Sequence, residues 1–270
     1  MDNILSSPCF VIHLPKNKER LSVKTHIEKA GFKNVNFFEG VDGKDRQSIK
    51  RALEFLKNPA IDKGISTGGL GCLLSHLTLL KRIVDAKLPF ATIFEDDVFF
   101  HPEWEKLCQH YYYLTPEDYE VIFIGNQLDS CLVSTKVDQE ITKEPVYCTH
   151  AYVVTLNGAR RMLECLLGWN YHDTAYTGLT LIDVMIKQLQ FNTNYGLKKQ
   201  IFQWYSWNGT KYPCLYNKLP VNNITCRNTG LVFQDIRFPS MVQKTEIARY
   251  EKDFSLRPTT RRIVRPMSFR

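Results

Sequence analysis

The 270-residue chain is 44% hydrophobic and 23% charged, an ordinary balance for a globular protein and long enough for one large domain or two small ones. It contains no run of about 18 apolar residues, which excludes a membrane-spanning helix, and the opening MDNILSSPCFVIHL lacks the basic leader of a signal peptide. The net charge of +7 is concentrated after Asp253 in Arg257, Arg261, Arg262, Arg265 and Arg270, so the body carries only about +2 and is not that of a nucleic-acid binder.

In chain order, CFVIHL (9–14) reads as a buried strand, the charged pattern from Lys16 to Ala30 as a helix stopped by Gly31, and VNFFEG (35–40) as a second strand. Strand, helix and strand within about 30 residues predict a right-handed βαβ unit and a parallel sheet. A helix over 47–56 follows, then a polar loop through Pro59 and Gly64. Leu70, Leu73, Leu74, Leu77, Leu80 and Val84 form one broad stripe, which predicts a long helix capped by Ser66 or Thr67 and ended by Pro89. Phe90–Phe94 reads as a strand, 102–113 as a helix, YEVIFIG (119–125) as a strand, 130–148 as a hairpin, and AYVVTL (151–156) as another strand. Asn157 is the expected cap of a helix through Leu167, and a further helix is expected near 179–190. The whole reads as α/β, a mixed central sheet flanked by helices over residues 1–190, with an extension over 191–254 and a basic tail over 255–270. That tail could dock on an anionic membrane surface or an acidic partner, or be a frayed terminus.

The eight cysteines are never closer than twelve residues apart, so no zinc or redox pair is indicated. Reduced thiols and a cytoplasmic setting are expected, with Cys9 and Cys72 acting as small hydrophobes and the sequons at Asn208 and Asn223 unmodified.

The chemistry concentrates in LPFATIFEDDVFF (88–100), where a strand ends in Glu95, Asp96 and Asp97 and the chain then turns apolar again. Three carboxylates between two apolar runs are costly to bury, and in open α/β sheets ligands gather at the carboxyl ends of strands. Strand alternation would put Glu95 and Asp97 on one side and Asp96 on the other. An acid-x-acid pair suits Mg²⁺ or Mn²⁺ bridging to a diphosphate; a polar turn or a helix cap is the plainer alternative.

Several segments then identify a family. FVIHLPKNKERL, FFEGVDGKD, GGLGCLLSHLTLLKRIVDAKLPFATIFEDDV and HAYVVTLNGARRMLE, in this order and spacing, resemble glycosyltransferase family 25, the lipopolysaccharide and procollagen galactosyltransferases, over about residues 9–190. The resemblance implies a GT-A type nucleotide-sugar-binding fold, an inverting transfer from a UDP-sugar, galactose or glucose, and a divalent cation, Mn²⁺ or Mg²⁺. By that resemblance Asp97 would hold the metal, with Glu95 a second ligand and Glu95 and Asp96 near the ribose and diphosphate. One departure is visible: Gly69 stands where the family usually has Glu, which puts the donor or acceptor preference in question.

Other candidates are weighed residue by residue. His76 and Ser75 would contact the donor, although a core histidine and a hydroxyl bonded to its own helix are ordinary readings. Asn17, Lys18 and Arg20 follow the first strand, with Arg20 the better diphosphate or base contact; Asp42 could bond uracil or ribose, or be a turn residue. Asp183, an isolated acid in an apolar helix, is the first choice for general base, and Asp173 the second. His150 could line an acceptor pocket or be a strand-end polar residue. Trp204, Tyr205 and Trp207 could stack on a carbohydrate or hydroxylysine-type acceptor, or be core. Two rivals are a metal-dependent phosphohydrolase, which also places aspartates at strand ends, and a catalytically degenerate binding protein using its basic tail, for which Gly69 argues weakly and against which the intact acids argue.

Overall fold

The computed structural model describes residues 2–101, 103–129, 141–142, 146–168, 178–191, 201–204, 226–228 and 230–234. The hairpin expected over 130–148 falls largely outside them, as do Asp173, Tyr205, Trp207, Asn208, Asn223 and the basic tail.

A short helix α1 (Asp2–Ser6) leads into β1 (Pro8–His13), and β2 (Asn34–Glu39) follows helix α2 (Val23–Lys29). β1 and β2 pair in parallel from Pro8 with Asn34 to His13 with Glu39, which is the expected βαβ unit. The helix expected from Lys16 onward is interrupted. Residues Lys18–Arg20 form a single 3₁₀ turn, and regular helix starts only at Val23. Arg20 is the cause: it is buried and hydrogen-bonded to Asp96, so this stretch folds over the strand end rather than running on as a solvated helix.

Helix α3 (Arg46–Phe55) is capped by Asp45, and α4 (Thr67–Asp85) by Ser66, whose hydroxyl accepts from Gly69 N at 3.1 Å. β3 (Phe90–Glu95), β4 (Val98–Phe100), α5 (Trp104–Leu114) and β5 (Val121–Asp129) follow. Then come β6 (Ile141–Thr142), β7 (Val146–Thr155), α6 (Leu156–Leu167), α7 (Ile182–Phe191), β8 (Ile201–Trp204), β9 (Cys226–Asn228) and β10 (Val232–Gln234). The cap of α6 is Thr155, whose hydroxyl accepts from Gly158 N at 3.0 Å, not the expected Asn157. Asn157 instead donates its side-chain amide to Glu120 at 2.5 Å.

The main sheet runs β2-β1-β3-β7-β5-β8-β6, with β9 added on β5, while β10 and β4 form a separate ribbon. β3 pairs in parallel with β1 and antiparallel with β7, so the sheet is mixed, as expected. One face packs Ile93, Tyr152 and Phe123 on Leu73, Leu77 and Leu166 from α4 and α6; the other packs Val11, Phe94 and Val153 on Ile27 and Trp104 from α2 and α5. Each such side chain contributes roughly 1.5–3 kcal/mol on burial. Helices on both faces leave the carboxyl ends of β1, β2 and β3 as the place where chemistry can sit.

Trp204 belongs to the second core layer. It is fully buried, tilted against Tyr111 and Trp104, and its indole N–H donates to the Thr115 hydroxyl at 2.9 Å. An acceptor platform at Trp204 is therefore ruled out by burial. Cys9 and Cys108 are buried as small hydrophobes, but Cys72 is only partly so and reaches a cleft. Among the described residues no helix is long and apolar enough to cross a membrane.

Candidate active site

A cleft of about 400 Å³ opens at the carboxyl ends of the three parallel strands, a size that suits a small-molecule ligand. The chain leaving β1 brings Asn17 and Arg20 to it, the turn after β2 brings Gly40–Lys44, and β3 delivers the three acids. The start of α4, Thr149 of β7, the head of α7 and Gln234 of β10 close the remaining walls. Lys18 is exposed and lies outside the lining.

The turn after β2 is locked onto α4 by backbone contact. A methyl group on Gly43 would fall 1.7 Å from Thr67 O, and one on Gly71 2.6 Å from Val41 O, so only glycines permit this approach. Ser75 fastens the same junction: its hydroxyl accepts from Val41 N at 2.8 Å and donates to Gly71 O at 2.6 Å. Ser75 thus lies on the cleft wall with its hydroxyl engaged by backbone, which is the ordinary of its two sequence readings. Gly69 also lines the cleft, and a methyl there would meet Leu181 Cδ2 at 2.3 Å. Leu181 occupies the space that a side chain at 69 would enter.

The acids divide their partners. Asp96 accepts from His13 Nδ1 at 2.7 Å and from Arg20 Nη1 at 2.6 Å, all three being buried. Glu95 lies on another side, 3.4 Å from His76 Nε2 and accepting from the Thr149 hydroxyl at 3.0 Å. Burial would lift the Glu95 carboxyl, but the bonds from His76 and Thr149 and nearby imidazole charge hold it below its ordinary value. His76 is itself buried, its Nδ1 3.1 Å from the Tyr152 hydroxyl, so its ring orientation is set from behind.

Asp97 is the anomaly. It is buried, Arg20 stands 3.6 Å from Oδ2, and Oδ1 has no hydrogen-bond partner among the described residues. Burial, and then the charge of Glu95, push its carboxyl up to about 8 although Arg20 pulls the other way. A carboxylate so placed is short of positive charge. The oxygen set of Asp97 and Glu95 fits a hard divalent cation, which would supply both the missing charge and the missing partner. Burial works against the charge of Arg20, but the bond and charges of Asp96 and Asp97 outweigh it, so it is a permanent cation.

At the far end, Asp42 is ion-paired to Lys16 and accepts from Lys44 N at 3.0 Å. The hydrogen bond from Lys16 is the main reason its carboxyl lies below the ordinary value. Asp183, at the head of α7, lines the cleft, and burial raises its carboxyl although Val184 N donates to it at 2.8 Å. His150 is not part of the lining: it is fully buried and its Nε2 donates to Val232 O at 3.0 Å, tying β7 to β10.

The structure therefore brings Arg20, Asp42, Ser75, His76, Glu95, Asp96, Asp97 and Asp183 to one cleft. Sequence reasoning missed His13 and Thr149. His13, the last residue of a parallel strand beside β3, carried a legible signal; Thr149 carried none, because β7 was expected to begin only at Ala151.

The cleft thus lies at the strand ends of an α/β fold with a mixed sheet flanked by helices, and comparison with known proteins gives the family. The model of glycosyltransferase family 25 (LPS biosynthesis protein) matches residues 6–180, and the chain belongs to that family. It is 27% identical over 169 residues to human procollagen galactosyltransferase 2, covering 57% of this chain and 27% of that protein. It is 26% identical over 166 residues to a glycosyltransferase 25 family member of Drosophila pseudoobscura pseudoobscura, covering 57% and 26%. The chain thus spans 27% of the human relative's length and 26% of the fly relative's. A crystal structure of a glycosyltransferase involved in glycosylation of the major capsid of PBCV-1 aligns at TM-score 0.43 and 10% identity, over 90% of this chain and 99% of that one. The matched family segment holds the acids, Arg20, Asp42 and His76; Asp183 and Gln234 lie beyond it.

Proposed function

We propose that this family 25 glycosyltransferase is a GT-A type enzyme that moves a hexose from a UDP-sugar to a glycan or hydroxylysine-type hydroxyl, inverting the anomeric centre. The observation that carries this reading is Asp97: a buried carboxylate with no partner on one oxygen among the described residues, beside Arg20, at the strand end that floors the cleft. The procollagen galactosyltransferase relatives favour galactose over glucose as the hexose. Mn²⁺ or Mg²⁺ would be held by Asp97 and Glu95, and when bound it supplies Lewis-acid stabilisation of the departing diphosphate.

The chain's own residues account for the rest. Arg20 pairs with the diphosphate while Asp96 and His13 hold it in place from beneath. Asp42, with Lys16 and Lys44, faces the nucleoside end of the cleft. His76 and Thr149 fix Glu95. Asp183 receives the acceptor hydroxyl proton, and its raised carboxyl makes it a stronger base than an exposed aspartate.

The test is Mn²⁺-dependent release of UDP from a panel of UDP-sugars, with and without glycan and hydroxylysine-containing acceptors. One donor should turn over, and Asp97→Ala should lower that turnover by about 10²–10³-fold, the range for losing one electrostatic stabiliser. Turnover that ignores the acceptor would indicate a phosphohydrolase. Failure of every donor to bind would overturn the reading.

A further inference from the structure

A second set of ligand atoms lies in the same cleft, sharing Glu95 and His76 with the site proposed above and adding the Cys72 thiol, which that transfer does not use. Cys72 and His76 are one helical turn apart on α4 and both face Glu95 at the end of β3. The Cys72 thiol, a ring nitrogen of His76 and a carboxylate oxygen of Glu95 all lie within 4.8 Å of one another. We propose that Cys72, His76 and Glu95 form a binding site for a thiophilic divalent cation, Zn²⁺ above all, that competes with the hard cation for Glu95.

Ligand chemistry separates the two cations. A thiol and an imidazole select Zn²⁺, whereas Mn²⁺ and Mg²⁺ prefer the carboxylate oxygens on the Asp97 side. Geometry supports the assignment. Around a tetrahedral zinc the ligand atoms stand roughly 3.4–3.6 Å apart, and His76 Nε2 and Glu95 Oε1 are already 3.4 Å apart. From a separation of at most 4.8 Å, the thiol needs to close by about 1.4 Å at most, within reach of a side-chain rotation.

The outer shell is also present. The Tyr152 hydroxyl contacts His76 Nδ1 at 3.1 Å and leaves Nε2 for the cation, and the Thr149 hydroxyl orients Glu95 at 3.0 Å. The cleft provides the entry path and the open fourth position. On capture, the Cys72 thiol proton passes to solvent and the thiolate bonds the cation. Because Glu95 serves both cations, occupation by Zn²⁺ removes one oxygen from the donor site.

The full chain, stripped of metal, is titrated with Co²⁺ and followed by absorbance. One equivalent should give a thiolate-to-cobalt charge-transfer band, erased by Zn²⁺, retained in excess Mg²⁺, and absent from Cys72→Ser. In parallel, alkylation of the wild type is mapped peptide by peptide. Zn²⁺ should slow modification of Cys72 several-fold, and Mg²⁺ should not. A band that persists in Cys72→Ser, or alkylation of Cys72 indifferent to Zn²⁺, overturns the proposal, and the alkylation arm decides even if the variant fails to fold. Neither readout uses a donor or an acceptor, so both stand apart from the fate of the transferase reading.

Discussion

Asp97 concentrates the cost of the site in one carboxyl. Held up to about 8 in the fold, against about 3.9 in an unfolded chain, it keeps a proton over an interval in which the unfolded chain has lost it. Metal-free stability should therefore fall as pH rises from about 4 to about 8. Asp97→Asn should melt above the wild type at pH about 8 in EDTA, with the difference vanishing only below pH about 4. Mn²⁺ bound at Asp97 would displace that proton, so its affinity should climb about tenfold per pH unit until about pH 8 and then level off, as calorimetry in buffers of different ionisation enthalpy would show. That these acids are candidates for a site was legible in the sequence, because three carboxylates between Phe94 and Val98 are costly to bury, although a polar turn or a helix cap was the plainer alternative. How they divide their work was not fully legible. The strand ends at Glu95, so a turn, not strand alternation, sends Asp96 to His13 and Arg20, and those partners lie 83 and 76 residues away in sequence.

At the scale of elements, the junction of α4 with the turn after β2 is a tightly packed wall of the cleft. Ser75→Ala removes the acceptor of Val41 N and should cost about 1–3 kcal/mol for a buried donor left unsatisfied. Donor KM should rise more than kcat falls, because the wall moves while the acids stay; steady-state kinetics beside a denaturant melt would separate the two. Gly71→Ala should be worse, since its methyl meets backbone, not a side chain that can rotate. The long apolar stripe of α4 made that helix easy to read, and nothing in it announced the glycine contacts. The charged pattern from Lys16 misled because helical charge periodicity does not distinguish a solvated arginine from one turned inward, as Arg20 is. Thr155 was passed over as a cap because it also ends β7, where a strand threonine is ordinary.

For the whole molecule, the instructive fact is that the fold outruns the family match. Residues beyond 180 supply β8 beside β5, β9 on the same strand, and β10 beside β4. A chain ended at residue 190 would strip β5 of two neighbours and remove Trp204 from the layer of Trp104 and Tyr111. It should be insoluble or molten, which near-ultraviolet circular dichroism would reveal. Trp204→Ala should cost about 3–5 kcal/mol in a denaturant melt, as for other buried aromatics, and leave acceptor KM unchanged in the folded fraction. This region resisted reading because its strands are three or four residues long, too short to show a period, and its aromatic cluster suits a sugar platform as well as a core.

Gly69 and Leu181 sit 112 positions apart in the chain, yet they share one volume: the leucine methyl stands where the first carbon of any side chain at 69 would go. A side chain entering at 69 therefore requires Leu181 to swing aside, which the free end of a leucine facing an open cleft can do at little cost. What occupies 69 thus decides where Leu181 rests, and with it the shape of the cleft rim two residues from Asp183.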